Sequence, residues 1–182
     1  MKRVLVPLAD GFEEIETVAI VDILRRAGFE VVLAGVHSGP LRGSRGVQLM
    51  PDRTLDETAG QPFDLVALPG GLENARTLRE DDRVRRAVRD VLAARGTAAA
   101  ICAAPWALAT FGVLRGRRFT CHPGVAEKLK PLEPCADRVV VEGAIVTSQA
   151  PGTAIEFALK LVEILAGPEK AAEVNAGVLA RI

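Results

Sequence analysis

Residues 97–106 read Thr-Ala-Ala-Ala-Ile-Cys-Ala-Ala-Pro-Trp, and this stretch carries the pattern that decides the fold. Its first half, 97–101, predicts a buried strand, and the small residues around Cys102 permit an abrupt turn. Pro105 suits the first turn of a helix, where a missing N–H group does no harm, so a helix is predicted over 103–111. A strand, a sharp turn at a cysteine and a helix form one unit of an α/β protein.

Short apolar runs alternate with helical patterns along the rest of the chain. Strands are predicted over 3–8, 29–34, 64–68, 97–101, 119–120 and 139–147, the last as a hairpin through Glu142-Gly143. Helices are predicted over 13–27, 81–94, 103–111, 151–166 and 168–180. This alternation predicts an α/β sandwich with a mainly parallel sheet and helices on both faces. No repeat or long linker divides the chain, so one domain is expected over residues 1–182.

The composition argues against several classes of protein. Hydrophobic residues make up 49% and charged residues 25%, an ordinary globular balance. The formal net charge is zero, which gives no electrostatic reason to expect nucleic acid or an anionic membrane as a partner. No apolar run approaches the roughly 18 residues of a membrane span, and the first residues lack a signal-peptide core and cleavage site. We therefore expect a cytoplasmic protein.

The three cysteines predict free thiols and no metal. An odd number of cysteines in a cytosolic chain argues against a disulfide framework. Cys121 and His122 are adjacent, but no set of three or four ligands at zinc-like spacing surrounds them. Neither a metal nor another cofactor is expected.

Glu16 lies in the middle of the apolar face of the predicted helix 13–27. That face contains Phe12, Ala19, Ile20, Ile23, Leu24 and Ala27. A glutamate in a first turn normally complements the helix dipole, which suffices for Glu13 on the flank and Glu14 on the other side. A buried carboxylate is costly unless it is protonated or hydrogen-bonded, and such groups collect at functional sites. Glu16 is thus a candidate functional carboxyl, with a structural role as the alternative.

The same helix has a second apolar edge. Ile15 and Val18 form it, with Val21 nearby. A helix that is apolar on more than one side is usually buried on more than one side. A homodimer through this helix is expected, since two-fold dimers are the commonest oligomers.

Cys102 is the candidate nucleophile. A thiol at a helix N-terminus faces free N–H groups, which favour the thiolate, so a lowered pKa is expected. Gly70 and Gly71 follow the predicted strand 64–68 and would end at the same sheet edge, where their N–H groups can stabilise an oxyanion. His122 is predicted to reach that edge as well. The alternatives are an inert buried cysteine, a plain turn at the glycines and a structural histidine.

Four motifs occur in order along the chain. They are Gly11-Phe-Glu-Glu-Ile-Glu-Thr17, Leu68-Pro-Gly-Gly71, Ala100-Ile-Cys-Ala-Ala-Pro105 and Thr147-Ser-Gln-Ala-Pro-Gly-Thr153. Together they resemble the ThiJ/PfpI superfamily, in particular its branch of Parkinsonism-associated protein deglycases and YajL-like proteins. The resemblance covers essentially the whole chain and implies a flavodoxin-like fold and a homodimer in which the first helix takes part.

The resemblance also implies roles for single residues. Cys102 would be the reactive cysteine, hydrogen-bonded by a protonated Glu16, with Glu13 lining the pocket. The anion pocket would consist of backbone amides near Gly71 and Ala103. The family's nearby histidine corresponds to His122.

Two departures from the superfamily narrow the expected activity. Its protease branch has a histidine directly after the cysteine, but Ala103 stands there, which argues against peptidase activity. The animal proteins carry a second cysteine where this chain reads Met50-Pro51-Asp52, so any regulatory role of that thiol is expected to be missing. The roles of Cys121 and Cys135 stay open.

Three functions are compatible with these residues. The first is a stress-protection enzyme of the deglycase or glyoxalase type, which acts on methylglyoxal, glyoxal or their early adducts on proteins or nucleotides and releases lactate or glycolate. The second is a redox sensor or redox-regulated chaperone that uses oxidation of Cys102. The third is an inert α/β binding module with a buried cysteine.

Overall fold

The computed structural model describes residues 1–181, which contain nine strands and six α-helices. The strands are β1 (Arg3–Leu8), β2 (Glu30–Gly35), β3 (Leu41–Arg42), β4 (Gln48–Leu49), β5 (Arg53–Thr54), β6 (Leu65–Leu68), β7 (Thr97–Ile101), β8 (Val139–Glu142) and β9 (Ile145–Ser148). The helices are α1 (Glu14–Arg26), α2 (Leu72–Glu80), α3 (Asp82–Ala93), α4 (Pro105–Thr110), α5 (Ala154–Ala166) and α6 (Pro168–Val178).

Seven of these strands form one sheet in the order β5-β2-β1-β6-β7-β9-β8. Every pair is parallel except β8 with β9, which form the predicted antiparallel hairpin. The central strands β6 and β7 are buried along their whole length, as strands covered on both faces must be. Helices α1, α5 and α6 pack together, as do α2, α3 and α4, and the two groups cover the sheet. The predicted α/β sandwich is confirmed.

Parallel strands bring three chain segments to one edge of the sheet. Strands β1, β6 and β7 are neighbours, so the segments that follow Leu8, Leu68 and Ile101 lie side by side. The first leads into α1, the second into the Pro69-Gly70-Gly71 turn, and the third into Cys102. Residues far apart in the sequence therefore converge at the carboxyl ends of these strands.

Helix α1 follows the predicted apolar pattern closely. Ile20, Ile23 and Leu24 are buried against the core, and Glu16 is buried among them. The helix begins after Glu13, whose side chain caps the first turn by accepting a hydrogen bond from Glu16 N at 2.8 Å. Only Ala19 of the predicted face is half-buried.

Three parts of the fold differ from the prediction. Phe119-Thr120 is not a strand, because Thr120 forms only an isolated bridge with Cys135. Helix α2 was not predicted, since its nine residues bury few apolar side chains and so show little periodicity. The short strands β3, β4 and β5 have two residues each, too few for any alternation to be read.

Among residues 1–181, no helix combines the length and apolar character that crossing a membrane requires.

Candidate active site

Cys102 occupies a strained position between β7 and α4. Its φ angle is +64°, a left-handed conformation that is unusual outside glycine and recurs at functional sites. Two backbone hydrogen bonds hold it there: Cys102 N donates to Ser148 O at 2.9 Å, and Cys102 O accepts from His122 N at 2.8 Å. The predicted strand-turn-helix arrangement at the cysteine is present.

Glu16 is fully buried at the same edge. Its Oε2 accepts a hydrogen bond from Gly70 N at 2.8 Å, and its Oε1 has no partner of regular geometry among the described residues. An ionised carboxylate in this setting is poorly solvated. Burial therefore raises the pKa of Glu16 to about 7, although the Cys102 thiol and the Gly70 amide oppose the rise.

Gly70 lies between the two reactive groups, and its lack of a side chain lets them approach each other. A Cβ atom at this position would lie 2.5 Å from Glu16 Oε2 and 2.7 Å from Cys102 Cβ. No side chain fits there, so glycine allows the carboxyl and the thiol to meet around it. The prediction that Glu16 and Cys102 are neighbours agrees with this geometry.

The sulfur has backbone donors on two sides. Burial raises the pKa of the Cys102 thiol, the nearby Glu16 carboxylate raises it further, and the amides of Gly71 and Ala103 oppose both effects. The expectation of a lowered pKa for Cys102 is thus wrong: the cysteine is only 9% exposed and has an acid beside it, and these effects outweigh the amide at the helix N-terminus. The thiol and the carboxyl titrate as a pair, and burial disfavours a second negative charge on it.

Glu13 contributes through its cap and its charge. Its backbone N donates to Gly70 O at 3.1 Å, which fixes the turn after β6 to the start of α1. Its side chain is engaged by Glu16 N, and its negative charge adds to the rise in the pKa of Glu16. Glu13 therefore lies next to Gly70 and Glu16, and its role in lining a substrate pocket stays a prediction.

His122 contacts Cys102 through its backbone. Its imidazole is exposed, and Nδ1 accepts a hydrogen bond from Gly124 N at 3.0 Å, which caps a 3-10 turn. The structure shows no hydrogen bond between the imidazole and the Cys102 side chain within the described residues. A catalytic role for His122 stays a prediction.

Glu14 differs from its expected position. It is not a solvated residue of the first turn, because the loop between β3 and β4 covers it and leaves it 9% exposed. Its carboxylate accepts hydrogen bonds from Arg45 N at 2.5 Å and Ser44 Oγ at 3.1 Å. Burial alone would raise the pKa of Glu14, but these hydrogen bonds outweigh it and lower the pKa.

Two contributors to this edge were missed in the sequence. Ser148 supplies the carbonyl that holds Cys102, and Asn74 binds the turn at Gly70. Ser148 lies within a motif that the resemblance uses, but nothing in the motif indicates a contact through the backbone. A single asparagine in a polar stretch gives no signal at all. No cluster of three or more potential metal ligands occurs in the part of the chain that the structure describes.

Fold and site together define a class of protein. It is a flavodoxin-like α/β protein with a cysteine on a strained turn after a central strand, paired with a buried carboxyl from the first helix. Backbone amides surround the sulfur, which suits the binding of a developing negative charge.

Comparison with known proteins gives the family. The DJ-1/PfpI family model matches residues 2–164. Protein dj-1beta of Drosophila melanogaster is 44% identical over 181 residues, covering 98% of this chain and 97% of that protein. Glutathione-independent glyoxalase DJR-1.2 of Caenorhabditis elegans is 36% identical over 169 residues, covering 92% and 89%. The solved structure of oxidized Toxoplasma gondii DJ-1 has a TM-score of 0.95 and 38% identity, with 100% of both chains covered.

The chain belongs to the DJ-1/PfpI family. The resemblance to the ThiJ/PfpI superfamily and the flavodoxin-like fold are both confirmed. The relatives, which include a protein named as a glyoxalase, support a function of the DJ-1 type.

Proposed function

We propose that this chain is a cysteine-dependent enzyme that acts on methylglyoxal, glyoxal or their early adducts and releases lactate or glycolate. The observation that carries the proposal is the pairing of Cys102 with the buried carboxyl of Glu16 around Gly70. The relative named glutathione-independent glyoxalase supports the same chemistry. The cytoplasmic location stays a prediction.

The reaction begins with attack by the sulfur. The Glu16 carboxylate takes the proton of the Cys102 thiol as the sulfur adds to the aldehyde carbon of methylglyoxal, and the oxygen of that carbonyl becomes an oxyanion. The amides of Gly71 and Ala103, which favour negative charge at the sulfur, would stabilise this oxyanion. Glu16 then gives the thiol proton to the oxyanion, which forms a hemithioacetal and restores the Glu16 carboxylate.

Glu16 then moves the proton. With a pKa near 7, it can both release and take up a proton at neutral pH. It takes the proton from the carbon that bears the sulfur and gives it to the oxygen of the neighbouring carbonyl, which forms an enediol. It then takes the hydroxyl proton on the carbon that bears the sulfur and gives it to the neighbouring carbon, which leaves a thioester of lactate. Water hydrolyses the thioester, so that lactate leaves and the thiol is restored. The net reaction adds one water to methylglyoxal.

Lactate production tests this proposal. Cys102→Ser and Glu16→Gln are each expected to lower kcat/KM for methylglyoxal by at least about 100-fold, the usual contribution of a nucleophile or a general acid-base. Cys135→Ser is the matched control, because Cys135 is a half-buried thiol outside the site. Wild-type rates of lactate production in both site variants would refute the proposed enzymatic activity.

Redox sensing is the second candidate function, favoured by the amides that point at the sulfur. Oxidation of Cys102 by peroxide to a sulfinic acid would place acceptor oxygens among donors, with protonated Glu16 as a further one. Mass spectrometry after mild peroxide treatment decides the question. Oxidation at Cys102 no greater than at Cys121 or Cys135 would exclude it, and many lactates per subunit would make the enzyme the main role.

We further propose that the first helix forms a homodimer. Ile15 and Val18 are 59% and 48% exposed on α1, although both are large apolar residues. Both side chains would be removed from water if a second copy of the chain packed against this helix. Sedimentation of wild type and Ile15→Glu tests this: a dimer that becomes a monomer supports the proposal, and a wild-type monomer refutes it.

A further inference from the structure

Asn74 is a fully buried polar residue in the first turn of α2. The oxygen of its carboxamide accepts one hydrogen bond, and the nitrogen donates two. Oδ1 accepts from Ala9 N at 2.8 Å, and Nδ2 donates to Pro69 O at 2.8 Å and to Gly70 O at 3.0 Å. The side chain therefore joins the segment after β1 to the turn after β6.

The two carbonyls that Asn74 binds belong to the two peptide groups of the active site. The oxygen of the Pro69–Gly70 peptide accepts a hydrogen bond from Asn74, and the N–H of the same peptide donates to Glu16 Oε2 at 2.8 Å. The oxygen of the Gly70–Gly71 peptide also accepts a hydrogen bond from Asn74. The N–H of that peptide is the Gly71 amide, which favours negative charge at the Cys102 sulfur.

A planar trans peptide holds its oxygen and its N–H on opposite sides, so a bond that fixes the oxygen also directs the N–H. Consecutive glycines make such control necessary, because they leave the backbone free to rotate. Gly71 has a φ angle of +87°. Donation to a carbonyl also polarises the peptide and strengthens its N–H as a donor.

We propose that Asn74 is a positioning residue, which directs the Gly70 and Gly71 N–H groups at the carboxyl of Glu16 and the sulfur of Cys102. The inference rests on the active site assigned above and adds to it the group that orders its donors. Glu13 N shares the Gly70 oxygen at 3.1 Å, but it does not reach Pro69 O. Asn74 is the described side chain that binds both carbonyls.

A merely structural role for Asn74 predicts a different outcome. A residue that only ties two strand ends together lowers stability when it is removed and leaves the titration of the site unchanged. A positioning residue changes the titration as well. Both amides lower the pKa of their partner groups, so misdirecting them raises both values.

The test is the rate of alkylation of Cys102 by iodoacetamide as a function of pH, read by mass spectrometry on the Cys102 peptide. In Asn74→Ala the midpoint of the profile is expected to rise by about 0.5 to 1 pH unit, which is a rate about 3- to 10-fold lower below the midpoint. Asn74→Ser, whose hydroxyl can donate to one carbonyl only, is expected to show a smaller rise. It also serves if the alanine variant does not fold.

Thr58→Ala is the matched control. Thr58 is buried and donates to Leu55 O at 2.8 Å, so it loses a comparable hydrogen bond away from the site. Its alkylation profile is expected to match that of wild type. Profiles of Asn74→Ala and Asn74→Ser that also match wild type would overturn the proposal.

The test does not depend on turnover. Alkylation reports the thiol and its neighbours whether or not methylglyoxal is the substrate. An unshifted profile with normal lactate production removes the positioning role alone, and a shifted profile without lactate production in wild type removes the proposed enzyme alone.

Discussion

Two carboxyl groups two residues apart in α1 titrate in opposite directions. Glu14 lies under the loop between β3 and β4, and the hydrogen bonds from Arg45 and Ser44 outweigh its burial, so its pKa is lowered. Glu16 faces the strand ends, has one backbone donor, and is raised to a pKa of about 7 by burial. Glu16 is fully buried and Glu14 is 9% exposed, so the depth of burial and the number of donors together decide whether each carboxyl stays charged or can hold a proton.

The largest difference between the two glutamates is expected in catalysis. Glu16→Gln should lower kcat/KM for methylglyoxal by about 10²- to 10⁴-fold, because glutamine keeps the shape but cannot carry the proton. Glu14→Gln should remain within about threefold of wild type, since Glu14 contacts the loop and not the sulfur. Steady-state lactate assays measure both. Equal losses in the two variants would show that the helix is being disturbed as a whole.

The next largest effect is the pH dependence of stability. The folded protein keeps a proton on Glu16 up to about pH 7, whereas the unfolded chain releases it near the ordinary glutamate pKa of 4.5. The folded state binds more protons between these values, so the free energy of unfolding falls as pH rises through this window, by about 3 kcal/mol. Urea unfolding at several pH values should show this fall in wild type and not in Glu16→Gln. If the free energies of unfolding of the two proteins differed by the same amount at every pH in the window, the prediction would be contradicted.

Gly70→Ala tests the close approach of the pair. The new Cβ would lie 2.5 Å from Glu16 Oε2 and 2.7 Å from Cys102 Cβ, so the site must move apart. A loss of about 1–3 kcal/mol in the free energy of unfolding is expected, with loss of lactate production. Gly177→Ala in α6 is the control, because its Cβ meets nothing within 4 Å and alanine favours a helix. Equal stability of the two variants would argue against the packed arrangement.

The smallest effect concerns Glu14. Its pKa is lowered in the folded state, so its charge stabilises the fold above the ordinary carboxyl value and ceases to do so as pH falls below it. Glu14→Gln should therefore cost about 1 kcal/mol near neutral pH, and less in acid, where both side chains are uncharged. Thermal unfolding at neutral and acidic pH measures the difference. A cost that grows in acid would have the wrong sign.

The sequence predicts the parts of this site that depend on periodicity and on strand order. Helical spacing places Glu16 on the buried face of α1, and the β-α pattern around Cys102 places the cysteine at the sheet edge. Parallel order then brings the Gly70 turn beside it. The first two features follow from local sequence patterns, and the third follows from the usual parallel arrangement of such strands.

What the sequence does not predict depends on contacts between distant segments. The loop that buries Glu14 lies about thirty residues away, as the bonds to Ser44 and Arg45 show. The direction of the Cys102 pKa depends on burial by many segments together, which outweighs the helix N-terminus. Asn74 acts on peptide groups through its side chain, and no spacing rule marks such a contact.

The central claim is that Cys102 and Glu16 titrate as one pair. The most direct test is the alkylation rate of Cys102 against pH in wild type and in Glu16→Gln. The account predicts that the Glu16→Gln profile lies at lower pH than the wild-type profile, because the Glu16 carboxylate raises the pKa of the Cys102 thiol in wild type. The same profile in both proteins would contradict the pairing.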